Sequence, residues 1–240
     1  RDMNIAIIGY GRMGHEIESA ALSRGHAIRL IVDKDNPNDL NERSVRDIDV
    51  AIEFTTPDTA FENVVKCLRM KIPVVSGTTG WLEAYTKAAE ICRENRTSFI
   101  HSSNFSIGVN ILFRLNRELA RYMSGFDQYK PFIEETHHTK KLDAPSGTAI
   151  VLAWGIADSH RGFDGWCPDD DNEPGKVPVK AIREGMVSGT HVISWDSDID
   201  VISLRHEAKN RKGLALGAVI AAEFIHKRTG VFTMDQVLGF

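Results

Sequence analysis

The densest group of reactive side chains lies in residues 133–149, IEETHHTKKLDAPSGTA, which combine acids, two histidines, two lysines and a Ser-Gly-Thr run. Few purely structural elements need that mixture. A strand ending near Glu135 would deliver His137 and His138 into a loop, and Pro145 to Thr148 would open a helix continuing through AIVLAWGIA. Backbone N–H groups at a helix start can bind an anion, and a nearby Ser or Thr hydroxyl adds a donor. Ser146, Gly147 and Thr148 are therefore candidate ligands for a carboxylate or phosphate. Beside them stand His137, able to give up a proton near neutral pH, and Lys141, a fixed positive charge unless buried. Zinc is not expected, because the histidine pair lacks i, i+4 spacing, HExxH is missing and the cysteines are scattered. Ser146 has no G-x-S-x-G context, so an anion-binding role suits it better than nucleophilic attack.

A second group opens the chain. Apolar residues 4–8 run into Gly9, Tyr10, Gly11, Arg12, Met13 and Gly14, followed by a helical pattern from His15 that Gly25 stops. Residues 27–32 form the next strand pattern and end in Asp33. This is the strand, glycine turn, helix, strand and acid order of a dinucleotide fold, in which roughly 20 residues separate the glycines from the ribose-binding acid. Asp33 favours NADH, whereas Lys34 could pair with the 2′-phosphate of NADPH, so the expectation is NADH or NADPH with no preference fixed.

The elements that must position both groups follow from periodicity. Strand patterns at 50–55, 73–76 and 98–101 alternate with helical patterns at 59–70 and 81–95. The turns after the strands supply Thr55, then Gly77, Thr78 and Thr79, then Ser102, Ser103, Asn104 and Phe105. In a parallel sheet these turns share the carboxyl edge, where ligands bind; each also reads as ordinary turn chemistry. From residue 108 the pattern changes. A helix at 109–123, a strand at 128–135, the central motif with its helix, an acidic Gly/Pro-rich solvated loop and strands within 179–184, 189–197 and 200–208 imply an α+β domain. The alanine-rich helix at 214–227 is expected to return to the first domain. The fold class is thus α/β: a Rossmann-like dinucleotide-binding domain (1–107 plus 211–240) with an inserted α+β substrate and oligomerisation domain (108–210) and two hinges that permit closure.

Composition sets the outer bounds. With 240 residues, 42% of them hydrophobic, a sizeable core can form, and a net charge of −4 argues against a general nucleic-acid binder. Three cysteines without a CxxC pair favour a reducing, cytoplasmic setting. No run reaches the ~18 apolar residues of a membrane span, and the stretch 214–225 is interrupted by Glu223. The opening RDMNIAIIGYG lacks signal-peptide architecture.

With these pieces placed, the chain resembles the 4-hydroxy-tetrahydrodipicolinate (dihydrodipicolinate) reductases of lysine and diaminopimelate biosynthesis. The segment ETHHTKKLDAPSGTA fits the family pattern E-x-H-H-x-x-K-x-D-A-P-S-G-T-A without a gap, and DVAIEFTTPDTAFENV, IPVVSGTTGW, SSNFSIGVN and IREGMVSGTHVISW follow in order. The resemblance implies His137 as proton donor and Lys141 as its partner. It implies His138, Gly147, Thr148 and Arg211 as substrate-carboxylate contacts, with the glycine loop, Asp33, Lys34 and the turns after the strands as nucleotide contacts. It further implies a cyclic dicarboxylate substrate and a homotetramer built through the second domain's sheet. One departure concerns the first loop, where GYGRMG is one residue shorter than the family's G-x-x-G-R-M-G, which bears on the phosphate contacts and the NAD/NADP balance. The alternatives are another two-domain dehydrogenase of the diaminopimelate, aspartate or homoserine type, a nucleotide-sensing protein without catalysis, and a Schiff-base lyase using Lys141.

Overall fold

Short β-branched runs closed by glycine, proline or polar turns divide the first hundred residues into five strands and three helices. The computed structural model describes residues 2–240. Strand β1, Asn4–Ile8, passes through the glycine turn into helix α1, Arg12–Ser23. The helix begins ahead of the expected His15, so Arg12, Met13 and Gly14 belong to its first turn. Strands β2 (Ala27–Val32) and β3 (Val50–Glu53) follow. Helix α2, Pro57–Arg69, starts before the expected residue 59, because Pro57 occupies its first turn and Thr56 and Thr59 form a capping box. After β4 (Val74–Ser76), the helix expected at 81–95 divides into a 3-10 turn, Leu82–Ala84, and α3, Tyr85–Glu94. The turn accompanies Trp81, which is buried and donates its indole N–H to Thr78 O at 2.8 Å. Strand β5 is Ser98–His101.

Helix α4, Ile107–Met123, leads into β6, Lys130–His137, then α5, Gly147–Ser159. Next come β7 (Trp166–Pro168), β8 (Val177–Arg183), β9 (Thr190–Asp196) and β10 (Val201–Glu207). The chain closes with α6 (Lys212–Ile225), β11 (Gly230–Phe232) and α7 (Met234–Leu238). Strands β7 and β11 and helix α7 were not expected: each is five residues or fewer, too short to show a period. The acidic loop therefore contains a strand, whose Cys167 is buried.

Two compact units result, residues 1–107 with 212–240, and residues 108–211. In the first, six parallel strands lie in the order β11-β5-β4-β3-β1-β2. Chain order reverses between β1 and β3, which opens a crevice at their carboxyl ends. Two apolar cores fill this unit, one holding Val64, Leu68, Trp81 and Phe99, the other Ile5, Ile52, Phe105 and the small residues of α6. Small residues let α6 approach closely: a Cβ at Gly217 would stand 1.7 Å from Phe105 O. In the second unit, five strands lie in the order β10-β9-β6-β8-β7, with β6 antiparallel to β9 and parallel to β8. Leu112 and Ala120 of α4 and Leu152 and Ile156 of α5 pack with Ile133, Val179, Ile193 and Trp195 of this sheet. Because Ile133 faces that core, Phe132 and Glu134 point to the opposite face.

Candidate active site

In the first unit the crevice at the strand reversal carries the glycine turn. Gly9 has φ +92, and a Cβ there would stand 1.9 Å from Phe54 O, so only glycine lets the turn after β1 lie against the end of β3. A Cβ at Gly14 would meet Gly9 O at 2.4 Å, whereas Gly11 has nothing within 4 Å and leaves its backbone open to a ligand. A cavity of about 440 Å³ is lined by Gly9, Tyr10, Gly11, Asp33, Lys34 and Thr55, with Lys66 as a further cation. A second, of about 360 Å³, is lined by Gly11 to Gly14, Thr55 and Gly77 to Thr79. The open backbone at Gly11, the start of α1 and the acid at the end of β2 suit a dinucleotide's pyrophosphate and ribose.

Buried Glu53, at the end of β3, holds the walls of that crevice. Its carboxylate accepts from Ser76 Oγ at 2.6 Å, Thr78 Oγ1 at 2.7 Å and the Thr55 amide at 3.0 Å, as well as from the Thr55 hydroxyl. His101 Nε2 meets Thr78 O at 2.9 Å, and burial lowers the pKa of its ring. Ser102, Ser103 and Asn104 form the turn after β5; Ser102 Oγ donates to Asn104 O at 2.7 Å. Phe105 is a core side chain, 1% exposed, so what it can offer a ligand is backbone.

In the second unit, β6 extends two residues beyond the expected end and places His137 at its last position, held by the β6 to β8 register. His137 is thus fixed by a sheet and not carried on a loop. Its Nδ1 bonds to Glu135 Oε2, and Glu135 Oε1 accepts from Arg183 at 2.9 Å and from the Ser146 amide at 3.1 Å. Burial alone would raise the Glu135 carboxyl; the bonds from His137, Arg183 and Ser146 and the His137 charge outweigh it and bring the pKa down to about 2. His191 lies edge-on to His137, with ring centroids 5.1 Å apart. Burial and then the His137 charge lower its pKa to about 4, so it is neutral near pH 7. A Cβ at Gly189 would stand 2.9 Å from His137 Nε2, so glycine gives this edge of the ring its room.

Following the strand, Lys141 turns back to Asp143, with Nζ 2.8 Å from Oδ1, and that lysine bond lowers the Asp143 pKa. His138 is half-buried, and Lys140 is exposed. Ser146 caps α5, accepting from the Ala149 amide at 3.2 Å, and its hydroxyl also lies 3.2 Å from His191 Nε2. That hydroxyl, expected to face an anion, is turned into the fold at a residue 3% exposed. Exposed Gly147 and half-buried Thr148 form the first turn of α5. Arg211 is exposed at the end of the unit.

Residues 3–105 match the profile described as dihydrodipicolinate reductase, N-terminus, and residues 108–238 match its C-terminus counterpart. The chain belongs to the dihydrodipicolinate reductase family. It is 50% identical over 237 residues to a 4-hydroxy-tetrahydrodipicolinate reductase of Christiangramia forsetii, covering 98% of each chain. A reductase of the same name from Methanopyrus kandleri is 39% identical over 204 residues, 80% of this chain and 72% of that one. Among solved structures, a dipicolinate-bound dihydrodipicolinate reductase from Paenisporosarcina sp. TG-14 has a TM-score of 0.81 at 24% identity, covering 97% of this chain and 98% of that one. A diaminopimelate dehydrogenase of C. glutamicum shares the fold at a TM-score of 0.53 and 14% identity, covering 97% and 93%.

For this dihydrodipicolinate reductase family member, the sequence pattern pointed to the motif but not to three of the groups around it. Glu135 stood in the motif without a role, Arg183 in IREG and His191 in GTHV. Each is an ionisable residue within a strand pattern, a signal that a buried network surrounds it. Glu53, a lone acid closing the apolar run VAI, carried the same signal in the first unit.

Proposed function

We propose that this protein reduces 4-hydroxy-tetrahydrodipicolinate to tetrahydrodipicolinate with a nicotinamide cofactor, the hydroxyl leaving as water. The single observation that carries this reading is the order of residues 135–148, in which a sheet-held His137, Lys141 and the start of α5 follow one another.

The nicotinamide supplies a hydride. Gly9 to Gly14 would hold its pyrophosphate, Thr55, Thr78, Thr79 and Ser102 to Phe105 would bound the rest of the dinucleotide, and Asp33 would accept from the ribose hydroxyls. Lys34, next to Asp33 in the chain, and Lys66, which lines the same cavity, would offset the charge of a 2′-phosphate, so both NADH and NADPH serve. Hydride addition to the conjugated C=C–C=N system leaves electron density that a proton must quench, and His137 donates that proton. Lys141, His138, Gly147, Thr148 and Arg211 hold the carboxylates and offset the developing charge. Ser146 contributes by fixing the start of α5. The protein acts as a homotetramer in the cytoplasm. The face of the second sheet that bears Phe132 and Val192, opposite α4 and α5, supports assembly. Among the described residues, no helix is long and apolar enough to cross a membrane.

The test follows nicotinamide absorbance after mixing the protein, NADH or NADPH, and freshly made product of dihydrodipicolinate synthase. Oxidation that requires the synthase product is expected, and the ratio of the two rates reports how Asp33 and Lys34 share the ribose. Binding of both cofactors without oxidation would favour a nucleotide-sensing protein instead.

A further inference from the structure

The geometry points to Glu135, held in place by Arg183, as a positioning residue that fixes the His137 ring with Nδ1–H on the carboxylate and reserves Nε2 for the proton given to substrate. This rests on the reductase reading, in which His137 is the donor.

Four observations meet here. Glu135 is 0% exposed and sits two residues before His137 on β6, so both side chains point to the same face. Its two oxygens are divided: Oε2 takes His137 Nδ1, while Oε1 takes Arg183 and the Ser146 amide. Arg183 is itself anchored, donating to Asp143 O at 2.6 Å and Ile182 O at 2.7 Å, so the carboxylate cannot swing away without stranding a guanidinium. Finally, among the described residues Nε2 is bonded to no protein group, and it is the ring atom nearest Gly189, where a Cβ would stand 2.9 Å from it and crowd whatever approaches.

The direction of the proton follows from these bonds. A carboxylate held ionised by three donors accepts and cannot give, so the proton between the two side chains resides on Nδ1. The other nitrogen then carries the transferable proton in the imidazolium and none in the neutral ring. The same logic lets a buried carboxylate set the tautomer of a catalytic histidine in other enzymes. The charged and titratable groups around the ring are Glu135 on β6, Arg183 on β8, His191 on β9 with His206 behind it on β10, and Lys141 from the following turn. Among them Glu135 alone is an anion, and it is the one bonded directly to the ring. Glu135, His137 and His191 also bring ligand atoms within 4.8 Å of one another, as a metal site would. Arg183 on the carboxylate opposes a cation there, and Oε2 and Nδ1 are already bonded to each other.

The experiment compares wild type, Glu135→Gln and Glu135→Asp in the synthase-coupled assay across pH, alongside ¹⁵N NMR of the histidine rings, with His137 assigned from the signal lost in His137→Gln. We expect Glu135→Gln to lower kcat by about 10²-fold, within the range a positioned acid supplies. The high-pH limb of its kcat/KM profile should move to lower pH, and Glu135→Asp should restore part of the rate and the limb. Wild-type His137 at high pH should be the Nδ1–H tautomer. A lowered rate with an unmoved limb would mean that Glu135 is only structural. If Glu135→Gln fails to fold, the wild-type spectrum decides: an Nε2–H tautomer overturns the proposal and an Nδ1–H tautomer supports it. Failure of the reductase reading itself would show separately, as wild type inactive with the synthase product.

Discussion

Lys141 Nζ lies 2.8 Å from Asp143 Oδ1, so the cation proposed to meet a substrate carboxylate rests on an acid two residues away. Asp143 is largely exposed, so the bond is easily exchanged for a carboxylate ligand. Lys141→Ala is expected to lower kcat/KM for the dicarboxylate by roughly 10²–10³-fold, the scale of one lost charge-stabilising donor. The KM for cofactor should stay within about twofold, as measured by initial rates with each substrate varied.

His137→Gln keeps a polar side chain of similar length but cannot deliver the proton. It should lower kcat by about 10²–10⁴-fold while changing the KM for cofactor little. Unchanged turnover would remove His137 from the mechanism.

Two glycines two residues apart should behave differently. Gly9→Ala places a Cβ 1.9 Å from Phe54 O at φ +92 and should lower Tm by several degrees or prevent folding. Gly11→Ala meets nothing within 4 Å of the protein, so Tm should hardly move while the KM for NADH and NADPH rises. Alanine can adopt the backbone at Gly11, where φ is −81. Thermal melts and cofactor titrations of both variants make the comparison.

Glu223, the acid that interrupts the apolar α6 sequence, accepts from Arg24 at 2.7 Å and from His26 at 2.8 Å. His26 Nδ1 accepts from the Met3 amide, so Nε2 carries the proton and neutral His26 suffices for the bond. The Arg24 bond, joined by the His26 bond and the Arg24 charge, outweighs burial and lowers the Glu223 pKa. A depressed carboxyl contributes stability above its unfolded value, near pH 4.3, that is lost as pH falls through the folded value. With Arg24 and Glu223 both partly exposed, the contribution is about 1 kcal/mol. Glu223→Gln should lower Tm by a few degrees at pH 7 and leave a shallower loss of stability below pH ~4.3, measured by melts across pH.

Ser146→Ala removes the cap of α5 and the hydroxyl beside His191. A loss of about 1 kcal/mol is expected, seen as a shift of the denaturant midpoint. The KM for the dicarboxylate should rise less than in Lys141→Ala, because the hydroxyl faces inward.

The sequence by itself determined the alternation of strands and helices, the glycine turn with Asp33 after the second strand, and the motif bearing His137, Lys141 and the start of α5. These are local: periodicity, capping and turn chemistry act over a few residues, and a run such as NIAII followed by glycines leaves little choice. Only the tertiary structure decided that β6 carries His137 to its last residue, because that depends on pairing with β8 and β9. It also joined Arg183, 48 residues along the chain, and His191 to Glu135 and His137, and turned the Ser146 hydroxyl inward. Four donors from three residues, Thr55, Ser76 and Thr78, gather on Glu53 for the same reason. Burial makes a charged group seek every available partner, and which partners are available is settled by sheet order and register, which no local window of sequence contains.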